Sequence, residues 1–87
     1  MMSEDQIRQK IIETVAEEFE LDPGELLPEA TLYDDLGLDS LDAVDLVVAM
    51  EKTFGVKLAN EEEIKSVRTV KDLFELIISL QDNGPNN

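Results

Sequence analysis

The sequence predicts an all-α fold: a four-helix bundle of three long helices and one short helix, with a long connection after the first. Three observations carry this prediction. Apolar residues recur at helical spacing, polar capping residues precede these segments, and proline or glycine interrupts the pattern between them. A chain of 87 residues forms one small domain around a single core.

The first helix is predicted to begin at Ser3, which has Gln6 three residues later in a capping-box pattern. Apolar residues then follow at four-residue spacing, namely Ile7, Ile11, Val15 and Phe19. Pro23 and Gly24 break this pattern, so the helix is expected to stop within residues 21–24.

Residues 22–39 form a connection that is too regular in its leucines to be a solvated linker. Leu26, Leu27, Leu32 and Leu36 are expected to pin it to the core, with a short helical turn possible near residues 25–27. A connection of this length inside a small domain is usually functional or packed.

Three more helices are predicted after this connection. The second spans residues 40–54, is capped by Asp39 or Ser40, and ends at Gly55. Asn60 with Glu63 opens a short helix through Ile64, and Thr69 with Asp72 opens the last. The apolar face of the last helix comprises Val70, Leu73, Phe74, Ile77, Ile78 and Leu80. Residues 1–81 are therefore expected to form the domain, and residues 82–87 a disordered tail.

The second helix carries two apolar faces. One arc of about 100° is predicted to face the core and comprises Ala43, Leu46, Val47, Met50 and Phe54. Leu41, Val44 and Val48 form a separate strip beside Asp42 and Asp45. Periodicity alone leaves two interpretations of this strip open, ordinary core or an exposed docking surface rimmed by carboxylates.

The charge balance excludes some classes of partner. The formal net charge is −14, from 21 acidic and 7 basic residues, which opposes binding to nucleic acids or to anionic membranes. Partners with basic patches are expected, although acidity also serves simple solubility. No apolar run approaches the roughly 20 residues of a membrane span, and the expected location is cytoplasmic.

The missing residue types exclude several chemistries. There is no histidine to serve as the base for a hydrolytic serine, and no cysteine to hold a thioester. Asp34 and Asp35 are adjacent acids that are expected to be solvated, and no calcium-loop spacing or other dedicated metal site is indicated.

Ser40 is the residue on which a function is most readily placed. Its hydroxyl stands at a helix N-terminus, where unpaired backbone N–H groups and the helix dipole stabilise a phosphate. The alternative is that Ser40 is only an N-cap. Since Asp39 can cap equally well, the hydroxyl would then be free for modification.

The segment Asp35-Leu36-Gly37-Leu38-Asp39-Ser40-Leu41-Asp42, followed by Val44, Asp45 and Leu46, resembles the prosthetic-group site of acyl carrier proteins. The resemblance covers residues 7–78. It implies a bundle of the acyl-carrier type, with 4′-phosphopantetheine esterified to Ser40 between Asp39 and Leu41. It also implies a non-catalytic carrier that holds acyl groups as thioesters for fatty acid or related biosynthesis.

The resemblance also implies partners. A phosphopantetheinyl transferase would attach the arm, and acyl-transferring and chain-elongating enzymes with basic patches would dock on the second helix. The docking residues would be Leu41, Asp42, Val44, Asp45, Val48 and Glu51. Family members also admit the acyl chain between helices, here near Val47, Met50, Ile64 and Leu73. A monomer is expected for a carrier that must visit several enzymes.

Two residues of the motif depart from the common family pattern. Asp45 stands where glutamate is usual, and Leu38 is bulkier than the usual alanine. The pathway therefore stays open between housekeeping fatty acid synthesis and specialised polyketide, lipid or peptidyl carriers. A second class, an acidic helical interaction domain that is never modified, also stays open.

Overall fold

The computed structural model describes residues 2–57 and 66–82 of the chain. Within these ranges there are three α-helices, α1 (Glu4–Phe19), α2 (Ser40–Phe54) and α3 (Val70–Asp82), and one turn of 3-10 helix at Pro23–Glu25. The predicted short helix that opens at Asn60 lies outside the described residues. The described chain therefore confirms the all-helical class and its three long helices.

The capping box predicted at the start of α1 is confirmed. The Gln6 N–H donates to Ser3 Oγ (3.1 Å), and the Ser3 N–H donates to Gln6 Oε1 (2.8 Å). Ile7, Ile11 and Val15 are buried as predicted. The helix ends at Phe19, earlier than the predicted break, because Glu20 adopts a left-handed conformation (φ 55°) and its N–H still reaches the Ala16 carbonyl.

The connection after α1 packs on the core through most of its leucines. Leu26, Leu32 and Leu36 are buried, but Leu27 is exposed, so its prediction as a pin was wrong. Leu26 and Leu27 are consecutive residues just beyond the 3-10 turn, and only one of two such neighbours faces inward here. Ala30 and Leu38 are buried as well and had not been predicted as pins.

The same connection is bound to the start of α3 by backbone hydrogen bonds. The Leu32 N–H donates to the Arg68 carbonyl (2.9 Å), and the Val70 N–H donates to the Ala30 carbonyl (3.0 Å). Between them, Thr31 and Thr69 form an antiparallel bridge. This clamp satisfies backbone groups that would otherwise be left without partners beside the core.

The core lies between the three helices, with α1 packed on both α2 and α3. The inward face of α2 is as predicted, since Leu46 and Met50 are buried and Ala43, Val47 and Phe54 are half-buried. Ile11, Leu73 and Ile77 meet them from the other two helices. The Gln81 amide donates to the Phe54 carbonyl (3.2 Å), which ties the carboxyl ends of α2 and α3 together.

The predicted cap of α3 is also confirmed. The Asp72 N–H donates to Thr69 Oγ1 (3.1 Å), while the Asp72 carboxylate accepts from the backbone N–H groups of Arg68 and Thr69. These backbone hydrogen bonds hold the pKa of Asp72 below its ordinary value of 3.8. The helix continues to Asp82, one residue beyond the predicted end of the domain.

Two leucines on α2 test the assignment of its faces. We expect Leu46→Ala to lower the free energy of unfolding by about 2–5 kcal/mol, because it leaves a cavity in the core. Leu41→Ala should change it by less than about 0.5 kcal/mol, because that side chain is exposed. Urea denaturation followed by circular dichroism measures both values. Equal losses in the two variants would contradict the assignment.

The Asp72 cap predicts a pH dependence. A lowered folded-state pKa means that the charged carboxylate stabilises the native state above the unfolded-state pKa, and that this contribution disappears as the pH falls through the folded-state pKa. Asp72→Asn should therefore lower the free energy of unfolding at pH 7. The difference from the wild type should shrink below about pH 4. Glu75→Gln, at an exposed position on the same helix, is the matched control. If the loss of stability in Asp72→Asn grew as the pH was lowered, this account would be overturned.

Candidate functional site

The turn that leads into α2 is built from short hydrogen bonds around Gly37. Gly37 has a positive φ of 72°, a conformation that glycine adopts at little cost. Its N–H donates to the Tyr33 carbonyl (3.1 Å), and the Leu38 N–H donates to the Leu32 carbonyl (3.0 Å). Upstream, the Thr31 and Asp35 side chains each accept from the other residue's N–H. The turn is therefore a fixed platform for the residues that follow.

Asp39 is the N-cap of α2. One carboxylate oxygen, Asp39 Oδ1, accepts from the N–H groups of both Leu41 and Asp42 (3.0 Å each). In return, the Asp39 N–H donates to Asp42 Oδ2 (3.0 Å), which completes a capping box. The sequence allowed either Asp39 or Ser40 to cap, and the structure assigns this role to Asp39.

Ser40 is the first residue of α2, and its side chain is exposed. Among residues 2–57 and 66–82, no group forms a hydrogen bond with its hydroxyl. The oxygen therefore points to solvent from a position that the platform and the cap hold in place. An incoming enzyme could reach it without unfolding the helix.

One expectation about this helix end needs correction. The sequence suggested that unpaired N–H groups of the first turn would hold a phosphate, but the N–H groups of Leu41 and Asp42 donate to the Asp39 carboxylate. The Ala43 N–H donates to the Asp39 carbonyl (3.0 Å) as the first helical hydrogen bond. A phosphate on Ser40 would gain from the helix dipole, but those three N–H groups are already engaged.

The second apolar strip of α2 is exposed. Leu41, Val44 and Val48 are 78%, 58% and 42% exposed, so their interpretation as ordinary core is excluded. Asp45 beside them is exposed, while Asp42, which takes part in the capping box, and Glu51 are half-buried. The strip starts next to Ser40 and is rimmed by carboxylates. We call Leu41, Val44 and Val48 the α2 strip.

The acyl-binding space implied by the resemblance is described only in part. Met50 and Leu73 are buried and Val47 is half-buried, whereas Ile64 lies outside the described residues. A small apolar cavity of about 10 Å³ lies on the other side of α2 from the strip. It is lined by Leu32, Tyr33, Leu38, Asp39, Ala43 and Leu46. The sequence analysis did not place Tyr33 at the site. The feature that could have indicated it is its position as an aromatic residue inside the connection, just before Asp34-Asp35-Leu36-Gly37.

The adjacent acids Asp34 and Asp35 have different surroundings in the structure. The carboxylate of Asp35 accepts from the Thr31 N–H (2.8 Å), so it stabilises the turn, and Asp34 is exposed. Residues 2–57 and 66–82 contain no cluster of three acidic side chains suited to a metal ion. None of the helices in these ranges has the length and hydropathy needed to cross a bilayer.

Comparison with known proteins points to one family. The family described as "Phosphopantetheine attachment site" matches residues 9–77 of the chain. The chain is similar to "Acyl carrier protein" of Syntrophobacter fumaroxidans, with 44% identity over 68 residues, covering 78% of this chain and 83% of the relative.

Two further relatives cover still more of the chain. "Acyl carrier protein" of Thermosynechococcus vestitus is 40% identical over 76 residues, which is 87% of this chain and 93% of the relative. "Acyl carrier protein 2" of Ralstonia nicotianae is 42% identical over 79 residues, which is 91% of this chain and 96% of the relative. The match therefore spans the platform, the cap and all three described helices.

Proposed function

Because the chain belongs to the acyl carrier protein family, whose signature is a phosphopantetheine attachment site, we propose that Ser40 is the residue that carries the arm. The observation that supports this most strongly is the division of roles between Asp39 and Ser40. Asp39 caps α2 with its carboxylate, so the exposed Ser40 hydroxyl is not required for the fold.

The residues around Ser40 fit such an arm. The hydroxyl is exposed at the end of a helix, so the attached group displaces no core residue. The carboxylates of Asp39 and Asp42 are close by but are both engaged in hydrogen bonds to backbone N–H groups. This partly offsets their repulsion of a phosphodiester at the same helix end.

The attachment step is a phosphoryl transfer from coenzyme A. Ser40 Oγ forms a bond to phosphorus, the phosphoanhydride bond of coenzyme A breaks, and adenosine 3′,5′-bisphosphate leaves with the electron pair. The hydroxyl proton must pass to a base on the transferase or to solvent, since this chain has no histidine. The exposed, preorganised position of Ser40 is what the chain itself contributes to this step.

The chain contributes tethering and recognition in place of catalysis. When attached, the arm supplies the terminal thiol that a chain without cysteine lacks, and this thiol holds an acyl group as a thioester. The tether keeps the acyl group at a high effective concentration for any enzyme docked on the domain. The relatives are named as acyl carriers, which supports an acyl group as the cargo. We assign this cargo to fatty acid or related biosynthesis.

Partner enzymes dock on the α2 strip and on the carboxylates beside it. The strip presents apolar side chains next to Ser40, and the net charge of −14 attracts enzymes with basic patches over long range. The same charge opposes self-association, which favours a monomer. We place this monomer in the cytoplasm as part of the proposal. Asp45 is the better carboxylate on which to test docking, because Asp42 also accepts a hydrogen bond in the helix cap.

The attachment residue is tested by intact-protein mass. Incubation with a phosphopantetheinyl transferase and coenzyme A should add the mass of one phosphopantetheine group to the wild type and to Ser79→Ala, a control at an exposed serine of α3. Ser40→Ala should gain nothing while keeping its helical circular dichroism. A folded wild type that stays unmodified would instead favour the unmodified interaction domain.

The docking surface is tested by charge reversal. Asp45→Lys should lower kcat/KM for arm attachment by about 3- to 10-fold at low salt, with the loss shrinking as salt screens the interaction. Glu17→Lys makes the same change of charge at an exposed position on α1 and should have little effect. Thermal unfolding of both variants checks the fold. Equal losses in the two variants would show that only total charge matters.

A further inference from the structure

We propose that Tyr33, Leu38 and Ala43 form an apolar shelf on which the arm attached at Ser40 lies between visits to enzymes. We call these three residues the Tyr33 shelf. The inference rests on the proposed function, because it takes Ser40 as the attachment residue. It adds a resting place for the arm and a positioning residue, Tyr33, that lies outside both α2 and its docking surface.

The shelf is the rim of the small cavity beside Ser40. Leu32, Leu46 and Asp39 complete the lining of this cavity. Since Leu32, Leu38 and Leu46 are buried, Tyr33 is the apolar lining residue that is most exposed. The interior of about 10 Å³ has room for about one water molecule at most. A ligand must therefore lie over the rim, in contact with the exposed part of Tyr33.

Ser40 lies close enough to the Tyr33 shelf for an attached arm to contact it. Ser40 and Ala43 are three residues apart on α2, so their side chains are neighbours on the helix surface. Asp39, the residue before Ser40, itself lines the cavity. The first groups of an arm on Ser40 are thus one helical turn from the shelf.

The Tyr33 side chain is 48% exposed on a backbone that is held firmly. The Tyr33 carbonyl accepts from the Gly37 N–H (3.1 Å), and its neighbour Leu32 is hydrogen bonded to Arg68. Covering such a ring costs little additional backbone entropy, since the backbone is already fixed. An exposed aromatic residue on a rigid turn is therefore a favourable contact for a flexible ligand.

The chemistry of the arm matches this surface. Its first carbon segment after the phosphate carries a dimethyl group, which is apolar, and two amides follow. The dimethyl group can pack against Tyr33 and Ala43, while the Tyr33 hydroxyl can donate to an amide carbonyl. Val44 of the α2 strip is also a neighbour of Ser40, but the strip is a single convex face. The shelf has walls from both the helix and the turn, and its use leaves the strip free for enzymes.

Tyrosine fluorescence tests the shelf directly, because Tyr33 is the one tyrosine and the chain has no tryptophan. The wild type is converted with a transferase and coenzyme A, and mass spectrometry confirms the arm. Acrylamide quenching is then compared before and after conversion. If the arm covers the ring, we expect the quenching constant to fall by about half. Ser40→Ala, treated identically, should show no change.

A second measurement follows the arm itself. In proton spectra, the two methyl signals of the arm should be shifted upfield by the aromatic ring in the wild type and in Tyr33→Phe. Tyr33→Leu should lose the shift. Leu27→Ala, which removes an exposed leucine from the same connection, should keep it. Circular dichroism confirms that each variant is folded.

The outcomes separate the two proposals. A mass gain with lower quenching and a ring-dependent methyl shift supports the shelf. A mass gain with unchanged quenching overturns the shelf and leaves the carrier function standing. Lower quenching without a ring-dependent shift also overturns it, since the arm then lies elsewhere. Absence of any mass gain defeats the carrier function and the shelf together.

Discussion

The hydrogen bonds from Leu41 and Asp42 to the Asp39 carboxylate are the interaction on which the proposed site depends. They satisfy two N–H groups at the start of α2 and so allow the helix to begin at Ser40 without using the serine hydroxyl. Had Ser40 been the cap, modification of its oxygen would have removed an interaction worth about 1 kcal/mol from a small domain. With Asp39 as the cap, attachment of an arm leaves the start of the helix intact.

The clamp between the connection and α3 fixes this helix end in space. Backbone hydrogen bonds join Leu32 to Arg68 and Val70 to Ala30. Leu36 and Leu38 are buried in the core. The connection that carries the platform is therefore tied to the start of α3 by backbone hydrogen bonds. Under the proposed function, a transferase would meet a serine whose position is already set, so little ordering entropy would be lost on docking. Meanwhile the acidic surface and the α2 strip stay outside the clamp and remain available for recognition.

Much of this arrangement was predictable from the sequence, because it depends on local patterns. Ser3 with Gln6 and Thr69 with Asp72 are capping pairs three residues apart, and Gly55 ends α2 where predicted. The exposure of Leu41 could not be decided by periodicity, since a second apolar strip can pack against any neighbouring element. Leu27 was wrongly predicted to be buried and Tyr33 was not singled out, because irregular backbone has no period from which a side chain's direction can be inferred. The choice of Asp39 as the cap depended on backbone conformation, since both residues are good caps.

Amide hydrogen exchange at Leu41 and Asp42 tests the central claim most directly, because their N–H groups make the two hydrogen bonds to Asp39. The rates would be measured by NMR in the wild type before and after the arm is attached, and in Ser40→Ala. If Asp39 alone caps the helix, protection of both amides should be the same in all three samples. Faster exchange at these amides in Ser40→Ala or in the modified protein, with the rest of α2 unchanged, would show that the serine hydroxyl supports the helix and would contradict the account.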